Sequence, residues 1–465
     1  MGRRHEPGGG GRLSAPRVVV VGGGLAGISA ALEAADRGAR VVLVERRRHL
    51  GGLTWSFRRG GLSFDNGQHV FLRCCTAYLG FLDRIGARGQ VVLQDRLDIP
   101  VLAPGGVRSD LSRRRLPAPF HLAGALARYR HLSVAERARL VRPALALRRL
   151  DPDDPFLDTV TFGNWLADHG QSDRAVAGLW DLITLPTVNV AAAECSLAMA
   201  VKVFRTGLLD RADAGDVGWS AVPLGQLHGD NAARALAAAD VETVLGSAVD
   251  QVAAGRGAKL VVRAAGRDLP ADAVIVATPP AVTTRLVPAG VAPGAARLGA
   301  SPIVNVHLVF DRRVTDLPMA AAVGSPVQFV FDRTGSSGLR DGQCLAISIS
   351  GADADIGRRP EDLVRSYTEA LGELFPAVRR ARLLDGVVSR EHTATIRARP
   401  GTGALRPPAA TDVDGLFLAG AWCATGWPAT MESAVLSGTG AARQAVGTPR
   451  PTDCQTPRPL QEAPA

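Results

Sequence analysis

The chain has 465 residues, about three domains' worth, and its 46% hydrophobic and 21% charged residues exclude wholesale disorder. It carries a net charge of +10, from 54 Lys+Arg against 44 Asp+Glu, and the only lysines are Lys202 and Lys259. The excess of Arg, Ala and Gly reads first as GC-rich coding, yet the charge favours an anionic partner such as a membrane surface. Nucleic acid is not expected as a partner, because the arginines look scattered and no recognition motif accompanies them.

In chain order, residues 1–15 are Gly/Arg-rich and are expected to be a disordered leader. The apolar stretch Val18–Leu32 follows Arg3 and Arg4 as a signal-peptide core would. It is shorter than the roughly 20 residues a bilayer requires, and it divides into strand, glycine turn and helix. Neither a signal nor a transmembrane span is expected. Arg17–Val21 reads as a buried strand, Leu25–Arg37 as a helix ended by Gly38, and Arg40–Glu45 as a second strand, which is a β-α-β unit. Residues 110–210 read as mostly helical, with Ser133-x-x-Glu136 as a capping-box start to an arginine-rich helix in which Pro143 warns of a kink. Ala235–Ala239 reads as helix, while Val241–Gly246, Ala258–Arg263 and Ala273–Thr278 read as strands. Further strands are expected at Ile303–Phe310, Val327–Phe331, Cys344–Ser350 and Gly415–Ala419, with helices at Glu361–Phe375 and about Met431–Val446. Residues 446–465 carry five prolines and are expected to be a disordered tail.

Six cysteines, at 74, 75, 195, 344, 423 and 454, include no C-x-x-C pair, so no metal site is expected; free thiols suit a reducing cytoplasm. Adjacent Cys74 and Cys75 would strain a mutual disulfide and read as packing residues. No G-x-S-x-G elbow or H-E-x-x-H is present, which leaves hydrolase readings without support.

The most informative motif is Gly22-x-Gly24-x-x-Gly27. It follows an apolar strand, opens a helix through Leu25 and Ala26, and ends 18 residues before Glu45 at the tip of the second strand. In that context the glycines permit a tight turn, a close approach of pyrophosphate to backbone, and helix-on-strand packing. The helix N-terminus would stabilise phosphates, and Glu45 would accept from an adenosine ribose. Gly51-Gly52 lie just beyond, and a second glycine unit, Leu418-Ala-Gly420-Ala-Trp422, precedes a helix starting near Thr430-Met431-Glu432. That helix start would direct its positive end at a bound group.

This arrangement resembles flavoproteins of the amine oxidase and phytoene desaturase superfamily, in which one FAD runs the length of the domain. Three further stretches are similar to the squalene-associated FAD-dependent desaturases, the hydroxysqualene dehydroxylase family: Asp65-Asn66-Gly67-Gln68-His69, Ser301-Pro302-Ile303-Val304-Asn305-Val306-His307, and Gly426-Trp427-Pro428-Ala429-Thr430-Met431-Glu432-Ser433. The stretch Leu179-Trp180-Asp181 with Thr187-Val188-Asn189 is also similar, and the likeness runs from Arg17 to about Ala442. The resemblance implies an α/β fold: a Rossmann-like, glutathione-reductase-type FAD-binding domain with an inserted α+β substrate domain. The FAD-binding domain is expected to be discontinuous, from 16–80, 222–300 and 390–445, with 81–221 and 301–389 forming the substrate-binding domain. The cofactor-binding residues implied are Gly22, Gly24, Leu25, Ala26, Gly27, Glu45, Gly51, Gly52, Gly67, Gln68, Val249, Gly420, Thr430, Met431 and Glu432. Two departures stand out: Leu53 where Arg is common after the Gly-Gly, and Ala421 where Asp is common after the glycine of the second unit.

The chemistry implied is reduction of hydroxysqualene to squalene with loss of water, hydride passing from reduced FAD to an allylic carbon. It needs an apolar tunnel and one proton donor. Asp65 and His69 are the candidates, a carboxyl in an apolar tunnel being able to stay protonated; His307 reads as a satisfied core histidine. The resemblance also leaves open a carotenoid- or phytoene-type desaturase, or a non-catalytic prenyl-lipid-binding protein of the same fold. The expected partners are a hydrophobic polyprenoid substrate, an electron donor for the flavin that the sequence does not identify, and a peripheral membrane contact through residues 113–150. The expected location is cytoplasmic, on the inner face of the plasma membrane.

Overall fold

The computed structural model describes residues 15–254 and 260–447. Nearly all of the expected leader and tail, and the first two residues of the expected strand Ala258–Arg263, lie outside the described residues. Strand β1 (Arg17–Val21), helix α1 (Leu25–Asp36) and strand β2 (Arg40–Glu45) form the opening β-α-β unit. Around them stands a five-stranded parallel sheet in the order Glu242–Leu245, β2, β1, Ala273–Val276, Leu416–Leu418. A chain buried on both faces must be apolar at every position, and Val18 to Val21 alternate between two cores. Val18 and Val20 face α1 and the helix Met431–Val446. Val19 and Val21 face a three-stranded antiparallel sheet of Val249–Ala254, Leu260–Ala264 and Arg267–Ala271.

The second body is a seven-stranded sheet ordered Leu383–Thr395, Ser301–Phe310, Gln343–Ser350, Phe329–Asp332, Met319–Ala322, Asp98–Ala103 and Val107–Ser112. The helix Pro360–Leu374 covers one face through Leu363, Tyr367 and Leu371. A helical layer built around Phe162, Trp180 and Phe204 packs against Val101, Leu111 and Ala321. Three further segments, Val70–Leu72, Val91–Leu93 and Val217–Ser220, form a small sheet beside it.

Several expectations need correction. The strand Leu383–Thr395 stays paired to Ser301–Phe310 as far as Thr395, so residues 390–395 extend the seven-stranded sheet and the expected boundary at 389/390 cuts through one strand. The strand escaped notice because it is an edge strand rich in charged and polar residues, without an apolar run. The helix expected at Ala235–Ala239 is the end of a longer segment running from Gly225 through Ala238, whose first part is wound as a π-helix. The arginine-rich helix divides at Leu140 into Val134–Arg139 and Val141–Arg149. Pro143 sits in the first turn of the second piece, where a missing N–H is tolerated. The Ser133–Glu136 capping box is present.

Helix α1 crosses Met431–Val446 at very close range. A Cβ on Gly438 would lie 2.0 Å from the Ala26 carbonyl oxygen, whereas one on Gly440 would meet nothing within 4 Å. Gly438→Ala is therefore expected to cost about 1–3 kcal/mol by overpacking, and Gly440→Ala to be neutral or stabilising by about 0.5–1 kcal/mol. Urea midpoints at unchanged m-value check both; equal midpoints would show that the helices part without cost.

Candidate active site

The two glycine turns meet at the N-terminus of α1. Gly22 has φ +110° and its added Cβ would lie 2.5 Å from the Ala277 carbonyl oxygen, while a Cβ on Gly27 would lie 1.8 Å from that of Gly22. The protein itself requires both. Gly24 is different: its φ is −78° and a Cβ there would meet only the Gly52 Cα, at 3.7 Å. Room is thus left at Gly24, at the point where helix N–H groups lack intrahelical partners. Gly51 donates its N–H to the Gly23 carbonyl at 2.8 Å, and a Cβ on Gly52 would fall 2.8 Å from the Gly24 Cα, so the two turns form one backbone cradle.

Glu45 is buried at the edge of that cradle. It accepts from the N–H of Gly23 at 2.6 Å and of Arg47 at 2.7 Å, one bond per carboxylate oxygen, with further lone pairs on each. The Ser247 N–H bonds the Glu45 carbonyl at 3.0 Å, which brings Val249, at the start of its strand, close to the same edge. Leu53 supplies no side-chain polar group, but Arg47 reaches the Gly-Gly turn. Its Nη1 donates to the Gly52 carbonyl at 3.1 Å and its guanidinium lies 5.8 Å over the Trp55 ring.

The C-terminal turn is organised by a residue that the sequence did not single out. Arg406 is buried and donates to the carbonyls of Ala421 (3.0 Å), Trp422 (3.3 Å), Cys423 (2.6 Å) and Trp427 (2.6 Å). Burial pushes its pKa down to about 10. Gly420 has φ +145° and donates to Ser437 Oγ at 3.1 Å. Thr430 caps the helix that Met431 opens. The carboxylate of Glu432, expected at the cofactor, is engaged by backbone groups of another helix. Its two oxygens accept the N–H groups of Ala77 (3.0 Å) and Tyr78 (2.7 Å), capping the helix Thr76–Arg84 from another element. Burial raises its pKa while those two bonds hold it down.

Between the sheets lies a small pocket lined by Asp65, Gln68, His69, Val70, Trp219, Ser220, Leu224, Phe331 and Arg333. Asp65 does not fit the expected proton donor. One oxygen meets Arg333 Nη2 at 2.7 Å in a buried ion pair; the other accepts from Ser56 Oγ at 2.7 Å and the Leu224 N–H at 2.9 Å. The apolar surroundings that would have kept a carboxyl protonated are replaced by a guanidinium. His69, half-buried, remains as a proton carrier. Burial lowers its pKa below 6.5, while the Asp65 charge and a bond to the Leu53 backbone act in the opposite sense. His228, absent from the sequence reading, is buried with its Nε2 2.7 Å from Tyr78 Oη, and burial depresses its pKa to about 3. His307 bonds the Asp65 carbonyl at 3.0 Å and is a core histidine.

Gly67 and Gln68 are held by the seven-stranded sheet. Asn305 Oδ1 accepts the Gln68 N–H at 3.3 Å and its Nδ2 donates to the Asn66 carbonyl at 3.1 Å. Two buried polar atoms, Trp55 Nε1 and Gln68 Nε2, have no protein partner. Buried polar atoms left in this way ask for a ligand or water. Together with the open cradle at Gly24 they fit a dinucleotide cofactor running from Glu45 past Gly51-Gly52 toward Gln68, and FAD is such a group.

Two outcomes follow. Gly24→Ala is expected to lower FAD content while changing apoprotein stability by no more than about 1 kcal/mol; Gly27→Ala is expected to impair folding itself. Cofactor absorbance and urea melts check this, and full FAD content in folded Gly24→Ala would show that the cradle holds something else. Asp65→Asn leaves Arg333 buried without a counter-charge and is expected to cost about 3–5 kcal/mol. A wild-type urea midpoint in that variant would contradict the role of the ion pair.

The comparisons agree with this geometry. The model of the family described as flavin containing amine oxidoreductase matches residues 25–446. A hydroxysqualene dehydroxylase of Sinorhizobium fredii is 27% identical over 460 residues, covering 91% of this chain and 97% of its own. A zeta-carotene desaturase of Zea mays is 24% identical over 489 residues, covering 91% and 82%. Among solved structures, putrescine oxidase bound to putrescine superposes with a TM-score of 0.69 at 19% identity, covering 93% of this chain and 99% of that one. The fold is thus the mixed α/β fold of FAD-dependent amine oxidases, and the chain belongs to the flavin-containing amine oxidoreductase family as an FAD-dependent oxidoreductase.

Proposed function

We propose that the chain reduces an allylic polyprenoid alcohol of the hydroxysqualene type to the hydrocarbon and releases water. The observation that carries this reading is the make-up of the pocket. One end is polar, with His69, Gln68 and Arg333, and the wall is Val70, Trp219, Leu224 and Phe331. That wall continues into an apolar cluster containing Leu72, Leu97, Leu122, Val217, Met319 and Phe329. One polar end against an apolar wall is the polarity that a long hydrocarbon with a single hydroxyl presents. The reading is further supported by relatives named hydroxysqualene dehydroxylase at 26–28% identity that are matched over 97% of their length.

The reaction consumes two electrons and two protons: the C–O bond breaks, a C–H bond forms, and the oxygen leaves as water. When bound, FAD supplies the electron pair as hydride. The chain supplies the proton, and we assign that role to His69, Asp65 being held by Arg333. The remaining side chains exclude water and orient the alcohol. The reductant of the flavin is a separate molecule, since the chain carries no second nucleotide fingerprint.

A second reading, dehydrogenation of a polyprenoid, is favoured by the burial of His69, which lowers its pKa and so favours the neutral imidazole, a form that takes up a proton. The two readings predict opposite pH dependence. If His69 is the acid, turnover is lost as pH rises through its lowered pKa, below 6.5; if it is the base, turnover is lost as pH falls through that value. Anaerobic single turnovers decide between them. Reduced enzyme should convert hydroxysqualene to a product lacking one oxygen, and His69→Gln should be about 10²–10⁴-fold slower with FAD retained. Conversion of zeta-carotene by oxidised enzyme to a product lacking two hydrogens, with no reaction on the alcohol, would overturn the first reading.

A further inference from the structure

The charge of this chain is concentrated in one place. Residues 111–150 contain ten arginines and a single acid, Glu136, a net +9 where the whole chain carries +10. Glu136 does not face outward as a free carboxylate. It accepts from Ser172 Oγ at 2.7 Å and from the Ser133 cap, which hold its pKa down near 2. Arg113 turns inward onto Asp216 and Arg148 faces Asp210 at 4.0 Å, but Arg114, Arg115, Arg139, Arg142 and Arg149 are exposed. The loop and helix cations come together: a Cβ on Gly124 would lie 3.4 Å from Arg114 Nε and 3.6 Å from Arg128 Nη2.

The same stretch exposes large apolar side chains. Phe120 is 61% exposed, Val134 73% and Val141 60%, with Leu116 and Leu145 also exposed. Along Val141–Arg149 the buried positions are Pro143 and Leu147, while Val141, Leu145 and Arg148 share the outer face with Arg142 and Arg149 beside them. Folding alone gives no reason for apolar side chains on that face. Cations interleaved with exposed Phe, Leu and Val are the composition of a surface that lies in the headgroup region of an anionic bilayer. Among the described residues no helix is long and apolar enough to cross a membrane.

The patch also connects to the pocket. Phe120 and Leu122 form one helical turn; Phe120 points out, while Leu122 packs in the apolar cluster that holds Val70, Trp219 and Phe331, three of the pocket's wall residues. We propose that residues 113–150 dock on an anionic lipid surface and that the turn Phe120–Leu122 marks the side from which an apolar substrate enters. The docking surface stands by itself; the entry route rests on the polyprenoid reading above.

Holoprotein is sedimented with vesicles of pure phosphatidylcholine or of phosphatidylcholine mixed with phosphatidylglycerol. Binding is expected to the mixed vesicles only, to weaken with salt, and to fall about fivefold for each cation reversed in the series Arg114→Glu, Arg115→Glu, Arg142→Glu, Arg149→Glu. Val141→Ser with Leu145→Ser should lower binding at unchanged charge. Arg379→Glu with Arg380→Glu, the charge change of two members of that series on another exposed segment, should leave binding as it was, and FAD content reports folding of every variant. Absence of vesicle binding, equal binding by the quadruple variant and wild type, or retention on single-stranded RNA in place of vesicles would overturn the docking surface. For the entry route, Phe120→Ser should slow turnover of vesicle-borne substrate and spare detergent-presented substrate; equal slowing of both would overturn it. Vesicle binding without turnover of any polyprenoid would defeat the functional reading and leave the docking surface intact.

Discussion

The pocket is where it is because Asp65 and Arg333 cannot be buried apart. Both side chains are less than a tenth exposed, and their oxygen and nitrogen meet at 2.7 Å. An isolated charge at that depth is far more costly than any single packing contact, so the pair forms only if its carriers arrive together. Asp65 ends a hairpin on the cofactor side, Arg333 follows a strand of the seven-stranded sheet, and the guanidinium also donates to the Ser220 carbonyl at 2.7 Å. The Leu224 N–H completes the carboxylate from the same loop. Three segments, separated by 159 and 268 residues from Asp65 to its partners, are thereby brought to one point. Gln68 and His69, three and four residues from Asp65, are positioned as a result. The polar end of the pocket is neutral as a unit, which suits an uncharged ligand.

That dependence also explains which parts of the site were legible in the sequence. The fingerprint around Gly22, Gly24 and Gly27 is local: strand, turn, helix and acidic strand tip lie within thirty residues, so spacing alone carries the chemistry. The ion pair of Asp65 with Arg333 was not legible, because the partner is distant and belongs to a residue type of which the chain has 52 copies. Arg406 was hidden in the same crowd. Glu432 was placed near the cofactor from its position in the helix start, yet its carboxylate serves another helix 354 residues earlier in the chain. Long-range pairing of polar groups leaves no periodicity to read, whereas burial of apolar strands does.

The two departures from the superfamily pattern have a physical counterpart. Position 53 carries leucine, but a guanidinium still stands at the Gly-Gly turn, delivered from position 47 and steadied over Trp55. Position 421 carries alanine, and the polar work at that turn is done by its backbone, with Arg406 and Ser433 Oγ both donating to its carbonyl at 3.0 Å. Arg406 donates to four carbonyls and to no carboxylate, an arrangement that rigidifies the turn more than it neutralises charge. The cofactor end of the site is therefore shaped mainly by backbone groups, which a change of side chain cannot easily remove.

The basic character of the chain reads differently once the ion pairs are seen. As a sequence the arginines look scattered. In the fold, those outside residues 111–150 are repeatedly matched with acids: Arg84 with Asp36, Arg108 with Asp110, Arg312 with Asp311, Arg358 with Asp355, Arg399 with Glu194. Exposed pairs of this kind add little to stability, but they cancel one another's field. Most cations of residues 111–150 have no such partner, which leaves a positive region on the helical layer bearing exposed Phe120, Val134 and Val141. A net charge of +10 distributed evenly would favour solubility and little else; the same charge gathered on one face orients the molecule toward an anionic surface before any contact is made.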